Sequence, residues 1–252
     1  DKAKASVQAI IDSGKYGYID DYAAIFKDLN NREVIWGSGY ASGLLTHSFD
    51  QKYSQPGDIC TNDGKGSGSA GPTQEFVASY DYADGTPFDV NDAANRYVTN
   101  ENASARDPRL AASIMWNGSI WKGRALECYD GGVDQKYMPY GTVNTPGNTV
   151  TGYYIRKMMD ESNLDFLVNG SYQPWIEFRY AEMMLIYAEC LAHENEFEAA
   201  REVVAELRKV RFGRDDVATP EVTDLDSTID LILKERATEL CFEGHRFWDL
   251  RR

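Results

Sequence analysis

The sequence predicts a mainly α (α+β) fold in which helical hairpins of tetratricopeptide-like size pack with a loop-rich segment that contains a few short strands. Three observations carry this. Between Arg179 and Arg252, apolar residues recur at three- and four-residue spacing in three successive stretches. Between Ala41 and Pro72, and again over 127–150, no periodicity of 2 or 3.6 survives, and Gly, Ser, Asp and Asn dominate. The apolar runs in between are short and bounded by turn residues. We read one domain over 1–252, divided into a helix, loop and strand (1–40), a loop-rich region (41–174) and a helical scaffold (175–252).

In chain order, Lys2–Ser13 places Val7, Ile10 and Ile11 on one helical face, and Gly14 is suited to stop it. A short helix around Tyr22–Phe26 and a strand over Glu33–Tyr40 follow. Within the 41–72 loop, Gly66, Gly68 and Gly71 fit GxGxxG, but the polar CTNDGK precedes them where a nucleotide-binding turn needs an apolar strand. We therefore read a loop there, ending where Pro72 and Thr73 start the helix QEFVASY. Asp84-Gly85 and Asn91-Asp92 are turn signals. In RDPRLAASIMWNGSIWKG, Asn117-Gly118 lies between two apolar runs and predicts a β-hairpin. The first long C-terminal helix carries Tyr180, Met183, Met184, Tyr187, Ala188 and Leu191 on one face, with Glu182, Glu189 and Glu194 outward. After Asn195 and Glu196, a second helix with Phe197, Ala200, Val204, Leu207 and Val210 on one face folds back as a hairpin. Ser227 with Asp230 resembles a capping box opening a third, which buries Ile229, Ile232, Leu233 and Leu240.

The formal charge of −14, from 40 acidic and 26 basic residues, sets a field that repels a phosphate backbone and argues against nucleic acid. No run of about 18 apolar residues is present to span a bilayer as a helix. Cys60, Cys128, Cys190 and Cys241 form no CxxC, so we expect no zinc or other metal site; Cys190 and Cys241 read as small buried hydrophobes. No cofactor motif is found. Asp84–Asp92 lacks the alternating ligand spacing of a calcium loop. His47, His193 and His245 match no hydrolase template, GxSxG, HExxH and P-loop are absent, and 40 acidic residues make chance carboxyl pairs abundant, so no catalytic residue is assigned.

In LKERATELCFEGHRFWDLRR, Glu235, Arg236, Glu239, Glu243 and Arg246 alternate with large apolar groups. Buried charges need partners, so we read a structural ion-pair network. RYAEMMLIYAEC, a second helix ending LRKVR, and this segment occur in the order and spacing of the C-terminal half of the SusD/RagB family of outer-membrane glycan-binding lipoproteins. IDSGKY, EVIW and TGYYIRK resemble the same family and extend the likeness from residue 2 onward. The resemblance implies a partial copy of the family domain, truncated at both ends, with the lipid anchor that tethers it to the outer membrane at the cell surface outside this chain. It implies non-catalytic binding of oligosaccharide or polysaccharide for delivery to a SusC-type TonB-dependent transporter. The alternatives are a tetratricopeptide-like protein-interaction module that binds no glycan and, more weakly, a glycoside hydrolase.

Sugar rings present flat C–H faces edged by hydroxyls, so aromatic platforms with polar groups at their rims suit them. By the resemblance, the 41–72 loop contributes to the ligand surface as a region. It supplies Tyr40 at its start, His47, Phe49, Tyr53, Asp58, Asn62 and Asp63 as candidates. Trp116 and Trp121 are further candidates, with packing the other reading for each aromatic. Trp36, Trp175 and Trp248 are assigned to the core.

Overall fold

The computed structural model describes residues 2–135 and 149–251, with the side chain of Asn62 outside that description. The part of the expected 127–150 loop that spans 136–148 therefore lies outside the described residues.

Helix α1 (Lys2–Asp12) buries Val7 and ends at Gly14, whose φ of +60° is open to glycine at little cost. A 3₁₀ turn, Tyr22–Phe26, is capped by the Asp21 carboxylate on the Ala23 and Ala24 amides. Strand β1 (Val34–Ser38) follows. The 41–72 stretch is not wholly irregular: it contains α2 (Phe49–Tyr53) and a 3₁₀ turn at Thr61–Asp63. Thr73 caps α3 (Gln74–Ala78).

RDPRL is helical rather than part of a hairpin. Asp107 caps α4 (Pro108–Ser113) and proline takes its first position, where its missing N–H costs nothing. The two apolar runs around Asn117-Gly118 do not pair with each other either. β2 (Ile114–Met115) lies antiparallel to β5 (Tyr154–Ile155), while β3 (Ile120–Trp121) turns back on β4 (Arg124–Ala125). The β3–β4 turn is Lys122-Gly123, with φ of 48° and 77°, the mirror-image turn geometry that matches strand twist.

Helix α5 (Phe166–Asn169) leads to β6 (Trp175–Arg179), which pairs antiparallel with β1 from Val34↔Arg179 to Ser38↔Trp175 and runs directly into α6 (Tyr180–His193). Asn195, at φ 64°, turns the chain into α7 (Phe197–Phe212), and left-handed Gly213 ends it. The next helix, α8 (Leu225–Glu239), begins earlier than its sequence suggests. Asp224 is the cap and Ser227 its reciprocal partner, each bonding the other's backbone amide. A short α9 (Arg246–Asp249) closes the described chain.

Helices α1, α7 and α8 all contact α6. Its deepest residues are accordingly Ala181, Leu185, Ala188, Leu191 and Ala192, small enough at three positions for close approach, rather than the Met183, Met184 and Tyr187 face. Glu182, expected to point outward, is buried. Trp36 (59% exposed) and Trp248 (66%) are not core residues. Trp36 lies on the open face of the β1–β6 ribbon, stacked on Phe178, and Trp248 sits on α9 beside Phe247.

Beneath the ribbon lies a buried charge core. Arg179 reaches Glu33, Glu239 and Glu243 at 2.7–2.8 Å. Arg211 bridges Glu33 and Glu239, Arg109 bridges Asp107, Glu235 and Glu239, and Arg208 joins Glu235 to Asp81. Lys157 pairs with Glu243 at 2.6 Å. Burial alone would raise the pKa of Glu239, but Arg211, Arg179 and Arg109 outweigh it and hold the carboxyl well below its usual range. Of the residues assigned to this network from sequence, Glu235, Glu239 and Glu243 belong to it. Arg236 makes a separate pair with Asp249 at 2.9 Å, and Arg246 is exposed on α9 and does not belong.

Candidate functional site

The 41–72 segment is anchored by His47, whose backbone exchanges hydrogen bonds with Ser171 at 2.8 and 2.7 Å. Its ring is fixed as well. Nε2–H donates to the Gln173 carbonyl at 2.9 Å while Nδ1 accepts the Phe49 amide at 3.2 Å, which assigns the neutral Nε2–H tautomer. Tyr40 meets that ring edge-on, centroids 4.5 Å apart. One turn of α2 places Phe49 and Tyr53 at i and i+4 on one face, 4.6 Å between rings. Together with Lys52, Met158, Gln173, Pro174 and Trp175, these rings line a pocket of about 250 Å³.

Behind the pocket sits Asp50, 0% exposed. Its oxygens accept the Gln173 Nε2 amide at 2.9 Å each, the Asp160 N–H at 3.1 Å and Asn163 Nδ2 at 3.4 Å, and its own amide donates to Ser171 Oγ at 2.8 Å. Neutral donors thus satisfy a buried carboxylate, and they tie α2 to the 160–173 segment.

Four of the nine sequence candidates, Tyr40, His47, Phe49 and Tyr53, converge here. Three others are scaffold. Trp121 is 1% exposed and donates its indole N–H to Asp58 at 2.9 Å, and Asp58 is itself buried against Lys122 and Arg124. Trp116 is buried with its indole N–H on Asn100 Oδ1 at 3.0 Å. Trp116 packs with Val77, Tyr80, Leu110 and Tyr153 in the core, and Trp121, held by Asp58, only closes the base of a larger adjoining cleft. Asp63 is exposed but does not line the pocket, and the side chain of Asn62 lies outside the description. Asp50, Met158, Gln173 and Pro174 were not anticipated, and Trp175, assigned to the core, is a half-buried wall residue.

A second, larger cleft of about 710 Å³ adjoins the first, and Met158 and Gln173 line both. Its floor is Tyr22 and Phe26, and its rim carries Lys27, Arg156, Asp160, Ser162 and Tyr172. The Asp160 charge raises the pKa of the Tyr172 phenol.

The model of the SusD family matches residues 32–252. The chain belongs to the SusD family. A SusD-like protein of Formosa agariphila, P38, is 40% identical over 127 residues, an alignment covering 45% of this chain and 23% of that protein. Among solved SusD-like structures, a carbohydrate binding protein from Bacteroides fragilis superposes with a TM-score of 0.74 at 26% identity, covering 98% of this chain and 47% of its own. A second SusD-like protein from Bacteroides fragilis gives 0.75 at 26% identity, with 99% and 50% covered. The chain thus spans half or less of the length of these SusD-family relatives. The matched region, from before β1 to the end of α9, includes the charge core and the aromatic pocket, whereas Tyr22, Ala23, Phe26 and Lys27 of the larger cleft precede it.

Proposed function

We propose that this chain binds oligosaccharide or polysaccharide without breaking bonds in it, and that it does so in the pocket of Tyr40, His47, Phe49 and Tyr53. The convergence of these four rings, from a stretch with no periodicity of its own, is the observation that carries the reading. Flat rings with Lys52 at their edge offer stacking and hydrogen bonding to a sugar. Among the described residues no carboxylate lines this pocket, and the carboxylates of the adjoining cleft are engaged: Asp160 accepts Ser162, and Glu161 accepts the Lys122 amide and Arg156. One of the similar structures is described as a SusD-like carbohydrate binding protein, in keeping with this reading. The physiological setting we propose is the outer-membrane surface, with lipid anchorage and delivery of the glycan to a SusC-type TonB-dependent transporter. The interaction-module alternative needs an open helix face, whereas α6 is enclosed by α1, α7 and α8.

Affinity gel electrophoresis on starch, xylan, laminarin, pectin and alginate tests the reading. Retardation by one polysaccharide, abolished when Phe49 and Tyr53 are both changed to Ala, is expected. A folded chain that none of them retards would refute it.

A further inference from the structure

The aromatic pocket and the larger cleft are neighbours with a shared wall. Met158 and Gln173 belong to the wall of both. The Met159 amide closes a turn on the Arg156 carbonyl at 3.0 Å, leaving Met158 at the position where a positive φ ordinarily calls for glycine. Its φ is 63°, and the preceding Lys157 is pinned by Glu243 at 2.6 Å and the Glu239 carbonyl at 2.9 Å. Glycine would relax this backbone, so the methionine side chain is held at the divide by its surroundings, where a flexible thioether can fit either neighbour. Gln173 is equally fixed, with its carbonyl on His47 and its amide on Asp50. The shared wall is therefore built in from the same charge core and the same buried aspartate that shape the pockets on either side.

We propose that the binding site runs continuously over Met158 and Gln173, so that the ligand is an oligosaccharide chain with one ring in the aromatic pocket and the following residues in the larger cleft, against Lys27, Asp160, Ser162 and Tyr172. This rests on the glycan reading and extends it to ligand length. The smaller pocket, about 250 Å³, is below the usual range for a whole ligand site, whereas the two together, at about 250 and 710 Å³, suit an oligomer. The rim chemistry differs between the halves: rings dominate the first, and the second presents hydroxyl, carboxylate and ammonium groups. The Lys27 ammonium has no ion-pair partner among the described residues and is free to meet a ligand oxygen.

The test uses size-fractionated oligosaccharides, from disaccharide to hexasaccharide, prepared by partial hydrolysis of the polysaccharide that retards the chain, with affinities from isothermal titration calorimetry. Affinity should rise about tenfold or more between disaccharide and hexasaccharide, the gain expected from two or so added hydrogen bonds. Lys27→Ala should lose part of this gain, and Ala23→Trp, which fills the larger cleft from an exposed position, should lose nearly all of it, each variant melting with the parent. Equal affinities along the ladder, or a gain that survives both substitutions, would overturn the continuous site while leaving glycan binding in place. Failure of every polysaccharide to retard the chain would overturn the glycan reading and this extension together.

Discussion

Replacing Arg179 with Met tests whether the buried charges are what fasten the β1–β6 ribbon to the helices. The Arg179 guanidinium, 1% exposed, donates to Glu33, Glu239 and Glu243 at 2.7–2.8 Å and to the Glu239 carbonyl at 2.8 Å. Methionine fills much of the same volume, so the loss isolates charge rather than a cavity. Removing one partner from a buried pair costs about 3–5 kcal/mol, because the charges left behind are already desolvated. For a chain of this size each kcal/mol moves the midpoint by about 2–4 °C, so thermal unfolding followed by circular dichroism at pH 7 should shift down by about 6–20 °C. Arg246→Ala, at an exposed position on α9, should stay within about 0.5 kcal/mol of the parent. The acid limb adds a second reading. Glu235, Glu239 and Glu243 are all held below their usual pKa by the arginines and Lys157, in excess of the burial that would raise them. Depressed folded-state values mean stability present above about pH 4.3, the unfolded value, and lost as pH falls through the folded ones. The parent should therefore weaken below about pH 4 and the Met variant should weaken less. An Arg179→Met chain melting within about 2 °C of the parent would refute the argument.

Two further predictions concern single carboxyls. Burial raises Glu182 to about 7 in spite of the nearby Arg236, and one of its oxygens has no hydrogen-bond partner. A raised folded value favours the fold below the unfolded pKa and loses that favour as pH rises through about 7. Glu182→Gln should accordingly leave stability at pH 5 near the parent's and increase it at pH 8.5 by about 1–2 kcal/mol, a part of what the shift implies because the buried site can relax around the charge; equal urea midpoints at both pH values would contradict this. Asp50→Asn turns an acceptor toward Gln173 Nε2 and Asn163 Nδ2 into a competing donor. Chemical denaturation should show a loss of about 2–3 kcal/mol, and the folded fraction should lose polysaccharide retardation; unchanged retardation would show that the pocket does not depend on this strut.

The helical scaffold was legible because its apolar spacing is local. The misreadings arose where two local signals compete or where the deciding contact is remote. Asp224 and Ser227 each satisfy the grammar of a helix cap, and in the fold they are the two reciprocal partners of one capping box, with Asp224 at the cap. The phase of α6 shifted because alanine, weakly hydrophobic in a sequence pattern, is what three neighbouring helices demand at close approach. Three acids of the charge core, Glu235, Glu239 and Glu243, could be read from one segment, whereas Glu33, Asp81 and Asp107 lie elsewhere in the chain. The arginines of the core come from α4, the end of β6, and α7, and no spacing connects them. At the site, aromatic composition identified Tyr40, His47, Phe49 and Tyr53, but Asp50 and Gln173 lie 123 residues apart and meet only through the His47–Ser171 pairing. Trp116 and Trp121 misled because an aromatic beside a turn signal has the same sequence signature whether its ring lies out in solvent or under a neighbouring strand.

The register of β1 with β6 has a consequence for how binding preference can change. Ser38 lies opposite Trp175, so the chain between them, which carries most of the lining of both clefts, leaves and returns at adjacent rungs of one ladder. Its length is therefore nearly decoupled from the geometry of the helices, since the entropy of closing such a loop grows only with the logarithm of its size. Residues can be added to or removed from 41–72 at small thermodynamic penalty, provided that Arg109 and Lys157 still reach Glu239 and Glu243 and that Asp81 still meets Arg208 and Lys234. Those three charged groups are fixed stakes beneath a more exchangeable surface, and they mark where transplanting one such surface onto another scaffold would have to preserve the sequence.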